Sequence, residues 1–337
     1  MGKSKKSPSE LRLDPLSRDW VVIATGRSKR PETFKKEKRE KEENASSCPF
    51  CNLKGDTASL VFRNREKMAS FVPDWTTVVV PNKYPAFIPE GNLEIRKENS
   101  LFETIDAVGF HDVVVTRDHR KSIALFSKEE AKELIDVYTL RYKDLKNYPF
   151  VKYVALFHNH GKEAGATISH PHSQIITTPL TDRDLKAGIS SSEKYFKEKN
   201  KCIYCEMNEW EMKRKKRIVF ENEDFLTICP FASKAAFEMI ISPKKHYSYF
   251  EEIEQSLKYS LGEALQVSLS KLYKGLGDPS YNFYLHTAPI GNERYDFYHF
   301  HFTILPKTAI WAGFEMGARM EISTIEPEQA AAYLRKW

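Results

Sequence analysis

Apolar residues fall into short strand-like runs separated by two longer helical stretches, and the same order occurs twice along the chain. In the first half Val113-Val114-Val115 leads to Asp118-His119, a helical stretch runs from Lys128 to Leu145, and Tyr153-Val154-Ala155-Leu156-Phe157 precedes His170-Pro171-His172. In the second half Glu238-Met239-Ile240-Ile241 leads to His246. A helical stretch from Glu251 to Leu272 then places Ile253, Leu257, Leu261 and Leu265 on one face, and Tyr281-Asn282-Phe283-Tyr284-Leu285 precedes His299-Phe300-His301. The spacing from His119 to His170 is 51 residues and that from His246 to His299 is 53. Strand, helix and two strands, used twice, predict an α+β fold of two fused halves with a mostly antiparallel sheet and helices packed on it. The division falls in the polar stretch from Leu180 to Lys201, which gives halves of residues 1–180 and 181–337.

Composition narrows the class. With 337 residues, 41% hydrophobic and 29% charged, the chain is long enough for real cores and too apolar for global disorder. No apolar run approaches the ~20 residues of a membrane span. The formal charge of +6 is a diffuse excess rather than a basic patch with interleaved aromatics, so no nucleic-acid partner is expected. Five cysteines are few for a disulfide scaffold, and no secretory segment opens the sequence, so a reducing, cytoplasmic location is expected. The run from Lys35 to Glu43 mixes both charge signs with almost no apolar face and reads as a solvated loop.

Four of the five cysteines form two Cys-x-x-Cys pairs. Each pair places two thiolates on one turn, and two later histidines can close a tetrahedral shell. The candidates are Cys48, Cys51, His119 and His170 in the first half and Cys202, Cys205, His246 and His299 in the second, with His111 competing with His119 and His286 with His246. Sulfur with imidazole in a closed set selects zinc, so two structural zinc ions per chain are expected. Cys229 stands alone and reads as a core residue.

His-x-His offers one imidazole to a metal and leaves its neighbour free to react, since side chains at i and i+2 of a strand share a face. His172 is the candidate nucleophile: a neutral imidazole attacks phosphorus and conserves the anhydride's energy as a phosphoramidate. Its company supports that role. Gly161 to Thr167 is a small-residue loop suited to cradling phosphate, Gln174 offers an amide donor on the same face, and Gly26-Arg27-Ser28-Lys29-Arg30-Pro31 sets cations on a turn. His301 lies between Phe300 and Phe302 with no glycine loop before it, so the second half is not expected to react.

His170-Pro171-His172-Ser173-Gln174-Ile175, with Asn159 and the small-residue loop before it, resembles the active-site signature of the galactose-1-phosphate uridylyltransferases, a branch of the histidine-triad superfamily. The resemblance spans nearly the whole chain, through Arg12-Leu13-Asp14-Pro15-Leu16, Arg27 to Pro31, Cys48 to Cys51, Asp118-His119, His299-Phe300-His301 and Gly313-Phe314-Glu315. It implies two fused histidine-triad-like halves, His172 as nucleophile, His170 as zinc ligand, and a ping-pong reaction on a nucleotide sugar with phosphate or a sugar phosphate as second substrate. It further implies that Arg27 and Arg30 hold phosphates, Asn82 lies near base and ribose, and Asn159, Gly165, Thr167 and Gln174 surround the α-phosphate. Gly313, Phe314 and Glu315 would lie near the sugar, where the partner of a homodimer can supply them. Ser173 stands where uridylyltransferases usually have Gly, and Phe314 where they usually have Tyr. The serine is similar to plant ADP-glucose phosphorylases, so the expected reaction turns ADP-glucose and phosphate into ADP and glucose 1-phosphate. Uridylyl transfer from UDP-glucose to galactose 1-phosphate and hydrolysis of nucleotide conjugates are the alternatives.

Overall fold

In the computed structural model, which describes residues 9–24, 34, 44–291 and 293–337, the repeated pattern becomes one continuous sheet. The first half supplies β1 (Glu10–Leu13), β2 (Trp20–Ile23), β3 (Leu60–Arg63), β4 (Glu66–Lys67), β5 (Thr77–Pro81), β6 (Arg96–Lys97), β7 (Glu103–Thr104), β8 (His111–Thr116), α1 (Lys128–Leu145), β9 (Tyr153–His160) and β10 (His172–Thr178). Then come α2 (Arg183–Lys199), α3 (Ile203–Arg214), β11 (Ile218–Glu221), β12 (Phe225–Ile228), β13 (Met239–Pro243), α4 (Gln255–Leu276), β14 (Tyr281–His286) and β15 (His301–Pro306). The chain closes with α5 (Gly313–Ala318), β16 (Ile322–Ser323) and α6 (Pro327–Leu334).

Eleven strands form the main sheet in the order β11-β12-β13-β15-β14-β9-β10-β8-β5-β3-β4. Every pairing in it is antiparallel, and the two halves meet edge to edge where β14 pairs with β9, Asn282 opposite Asn159 and Phe283 opposite His158. Outward from that junction the first five strands follow the same order in both directions, as a duplicated unit requires, and β4 is an extra edge strand of the first half. A small sheet of β1, β2 and β16 ties the chain's beginning to its end, with β16 parallel to β2.

Alternation assigns the two faces. Val79, Val114, Leu156 and Ile175 point to the face covered by α1 and α4, whose buried Leu134, Ile135, Leu261, Leu265 and Leu269 join them in the main core. Val78, Val80, Val113 and Val115 point the other way and pack with Cys48 and Phe50. Helix α1 begins where the sequence predicts because Ser127 and Glu130 form a reciprocal capping box. Helix α4 starts later than expected, at Gln255. Residues Phe250–Glu252 form a separate 3-10 turn that buries Glu251 against Lys146 of the first half at 3.0 Å, and Gly277 at φ 73° ends the helix. The two helices cross closely at Gly262, where a Cβ would lie 2.9 Å from backbone atoms of Ala131 and Lys132.

The polar stretch read as a boundary is itself helical: α2 starts at Asp182, whose side chain accepts from the Leu185 N–H, and ends at Asn200 in the left-handed region. Arg27, Arg30 and the charged run 35–43 lie outside the described residues. Cys229 is fully buried. Among the described residues no helix is long and apolar enough to cross a membrane.

Candidate active site and metal centres

The turn carrying Cys48 and Cys51 sits beyond β8 and the start of β10, where His119 and His170 converge on it. Cys51 Sγ lies 3.3 Å from His119 Nδ1 and 3.5 Å from His170 Nδ1, Cys48 Sγ lies 3.6 Å from His170 Nδ1, and the two Nδ1 atoms are 3.3 Å apart. His170 Nε2–H donates to the Thr116 carbonyl at 2.7 Å, which fixes its tautomer and turns the Nδ1 lone pair toward the sulfurs. The second half repeats this. Cys205 Sγ is 3.4 Å from His246 Nδ1 and 3.5 Å from His299 Nδ1, Cys202 Sγ is 3.8 Å from His299 Nδ1, and His299 Nε2–H donates to the Pro243 carbonyl at 3.0 Å. In each group the four ligand atoms lie within 4.8 Å of one another. His119 and His246 therefore join the cysteines, and His111 and His286 do not. In the second group the Cys205 thiol, then the His246 and His299 rings, lower the Cys202 thiol against the opposing effect of burial, while Cys202 and burial raise the Cys205 thiol, so the pair holds a single proton between its two sulfurs.

His172 opens β10 two residues past His170, its ring 4.9 Å from that of Phe50. Its Nδ1–H donates to the His170 carbonyl at 2.9 Å, so the lone pair resides on Nε2. Burial pushes the imidazole below its ordinary value, although the same carbonyl bond pulls the other way, and the ring is neutral. His170 thus both joins the Cys/His group and aims the neighbouring imidazole.

Two amides flank this ring. Gln174 shares the His172 face, and its Oε1 accepts from His111 Nε2–H at 2.8 Å. That tautomer follows from the Ala86 N–H, which donates to His111 Nδ1 at 3.1 Å. Gln174 is left with its NH₂ directed away from His111, and Asn82 Nδ2 lies 3.0 Å from the same His111 nitrogen. On the other side, carrying the Ser173↔His158 register one residue further sets Asn159 beside His172. Beyond β9 the chain makes one 3-10 turn, Lys162–Ala164, between Gly161 at φ 84° and Gly165 at φ 86°, left-handed positions that favour glycine.

The whole chain has counterparts among known proteins. The family model for the N-terminal domain of galactose-1-phosphate uridyl transferase matches residues 3–181, and that for the C-terminal domain matches residues 188–337. The chain belongs to the galactose-1-phosphate uridyl transferase family. Among its relatives, ADP-glucose phosphorylase of Arabidopsis thaliana is 32% identical over 335 residues, covering 97% of this chain and 92% of that one. Galactose-1-phosphate uridylyltransferase of Thermotoga maritima is 30% identical, covering 97% and 98%. The crystal structure of an ADP-glucose phosphorylase from Arabidopsis thaliana with bound ADP-glucose superposes with a TM-score of 0.79 at 27% identity, over 98% of this chain and 99% of that one.

Ser173, the departure from the usual uridylyltransferase sequence, faces away from His172 toward α1. Its hydroxyl lies 2.5 Å from Tyr138 OH and 3.0 Å from His158 Nδ1, and all three side chains are buried. The serine therefore does not touch a substrate on the His172 face; it ties that strand to the core behind it. Replacing Ser173 with Ala leaves both partners buried and unpaired, and should cost about 1–3 kcal/mol in a denaturant titration while the nucleotidyl adduct still forms.

The second half keeps the histidine geometry without its surroundings. His301 Nδ1–H donates to the His299 carbonyl at 3.2 Å, as in the first half. His286 pairs with His301 across the strands and stacks on it at 4.8 Å, while Tyr204 covers it at 5.0 Å, and burial holds His301 well below the ordinary histidine value. Stacked rings fill the space that the flanking Asn159 and glycine loop leave in the first half.

The remaining expected residues separate into two groups. Thr167 is exposed between the loop and His170, and Gly165 forms the loop's hinge. Gly313, Phe314 and Glu315 form the first turn of the exposed α5, and among the described residues no hydrogen bond or ring contact joins them to His172, Asn159 or Gln174. Sequence reasoning missed His111 as the partner of Gln174 and gave Asn282 no role, because both depend on strand register rather than on any local motif.

Proposed function

We propose that the chain is a nucleotidyltransferase that cleaves a nucleotide sugar at its α-phosphorus through a covalent His172 intermediate, turning ADP-glucose and phosphate into ADP and glucose 1-phosphate. The observation that carries the reading is the His172 ring, neutral, with Nδ1–H fixed on the His170 carbonyl and Nε2 left to attack. The Nε2 lone pair forms the N–P bond as the P–O bond to glucose 1-phosphate breaks, and the electrons leave on that oxygen. The imidazole ring then carries positive charge, which the His170 carbonyl stabilises through Nδ1–H. An oxygen of inorganic phosphate next displaces the nitrogen, releasing ADP and the neutral ring. Gln174 and Asn159 donate to the non-bridging oxygens, and Arg27, Arg30, Asn82, Gly165 and Thr167 hold the rest of the nucleotide. The similarity to an ADP-glucose phosphorylase over nearly the full length supports adenylyl over uridylyl transfer.

Both Cys/His groups fit zinc. Ligand bonds of about 2.3 Å to sulfur and about 2.0–2.1 Å to nitrogen at tetrahedral angles require S···N separations near 3.6 Å and N···N near 3.3 Å, and the first group has 3.3–3.6 Å and 3.3 Å. Bound zinc would supply a rigid, closed shell with no open position, so the ions are structural and the chemistry belongs to the side chains. The active unit is a homodimer: α5 makes no hydrogen bond or ring contact with its own chain's His172 among the described residues and exposes Phe314 and Met316, as the preceding segment exposes Ile310, an apolar surface that a second copy covers while completing the sugar side.

The test is acceptor dependence, in a preparation that light scattering shows to be dimeric. ADP-glucose alone should release about one glucose 1-phosphate per site and stop, and added phosphate should restart turnover and yield ADP. Sustained release without phosphate would mean that water resolves the intermediate and the protein is a hydrolase.

A further inference from the structure

The second half of the chain, whose own His-x-His is not the reactive one, reaches the first half's site through Asn282. Asn282 on β14 lies opposite Asn159 on β9, across the one pairing that, among the described residues, joins the halves of the main sheet. Its Nδ2 donates to the Asn159 Oδ1 at 2.8 Å and to the Ala164 carbonyl at 2.8 Å.

These two bonds settle which way both amides face. An Asn nitrogen and oxygen are interchangeable by shape alone, and the partners decide between them. The Ala164 carbonyl is an acceptor in every protonation state, so the Asn282 atom facing it is nitrogen. Both hydrogens of that nitrogen are then engaged, one on Ala164 and one on Asn159, so the Asn159 atom facing Asn282 is oxygen. Asn159 is left with its NH₂ turned the other way, toward Gly165, where its Nδ2 is the nearest atom to the position of a missing Cβ at 4.0 Å. The same pair of bonds pins the 3-10 turn through Ala164, so one side chain sets both the loop and the polarity of the amide beside it. His111 does the corresponding work for Gln174 from the opposite side.

We infer that Asn282 is a positioning residue for nucleotidyl transfer: it fixes Asn159 as a hydrogen-bond donor to the transferred phosphoryl group. The inference rests on the reading of His172 as the nucleophile and adds to it a function for the non-reacting half of the duplication. A phosphoryl group presents only acceptors, so an Asn159 turned the other way would aim its oxygen lone pairs at phosphate oxygens.

Asn282→Asp tests this without changing shape. A carboxylate accepts and does not donate, so it repels the Asn159 oxygen and the Ala164 carbonyl and draws the Asn159 NH₂ toward itself. Single-turnover formation of the nucleotidyl-enzyme from ADP-glucose should slow by roughly 10²-fold, the order found on losing one preorganised donor, with KM changed only a few-fold. Asn282→Leu should lose a similar amount, and it carries the test if the Asp variant does not fold. In an Asn159→Ala background either change should cost little, because the donor being oriented is already gone. A normal adduct rate in both variants, or a loss equally large in the Asn159→Ala background, would overturn the inference. Failure of the unmodified enzyme to form any adduct would instead overturn the nucleotidyl-transfer reading, and this inference with it.

Discussion

Replacing His172 with Gly should leave a protein that binds ADP-glucose and forms no covalent adduct. The substitution removes the attacking Nε2 and the Nδ1–H held by the His170 carbonyl, but not Gln174, Asn159 or the Gly161–Gly165 turn, so the pocket persists while the bond-forming atom does not. The loss in kcat should exceed the ~10²–10⁴ typical of a group that only moves protons, because no other atom on that face takes over the bond to phosphorus. His301→Gly should keep the adduct: its ring is stacked between His286 and Tyr204 and has no phosphate loop beside it. Equilibrium binding of ADP-glucose and single-turnover release of glucose 1-phosphate measure the two effects separately. A His172→Gly enzyme exchanging glucose 1-phosphate at a near-normal rate would place the chemistry in the other half.

The second large effect falls on stability. Cys48→Ser or His299→Asn should each remove about one equivalent of zinc by elemental analysis and lower the melting temperature. Loss of a metal site is among the few single-residue changes that exceed about 4 kcal/mol, which at about 2–4 °C per kcal/mol is a drop on the order of 10 °C. The two variants should differ in chemistry. His170 is both a member of the first cluster and the carbonyl that holds His172, so disturbing Cys48 loosens the nucleophile, whereas His299 lies in the half that does not react. Adduct formation per folded molecule should be nearly unchanged in His299→Asn and modestly reduced in Cys48→Ser. Zinc near zero in active enzyme would contradict both closed sites.

Much of this arrangement was legible because it is written in local signals. The Ser127 and Glu130 capping box marks the start of α1, and the repeat of Cys-x-x-Cys and His-x-His at matched spacing leads to both four-ligand groups. The choice of His119 over His111 was not local: His111 lies on β8 with its side chain on the His172 face, and only the pairing of β8 with β10 reveals that it meets Gln174. Asn282 was invisible for the same reason, since its partner is 123 positions away and the β9–β14 junction has no sequence signature. The stretch from Leu180 to Lys201 reads from its polarity as the boundary between the halves, and what polarity does not reveal is that Asp182 caps a helix there whose buried face is as narrow as Leu185 and Ser192. Gly313 to Glu315 were legible as a motif, but they fold into the exposed α5, and among the described residues no hydrogen bond or ring contact joins them to His172.

Intact-mass spectrometry of the protein mixed with ADP-glucose and, separately, with UDP-glucose weighs the covalent His172 intermediate itself. ADP-glucose should add one AMP per chain and UDP-glucose little or nothing, with the added mass mapping to the peptide that contains His172 and removed by phosphate with release of ADP. An adduct on His301, or none in a preparation that turns over ADP-glucose, would contradict it.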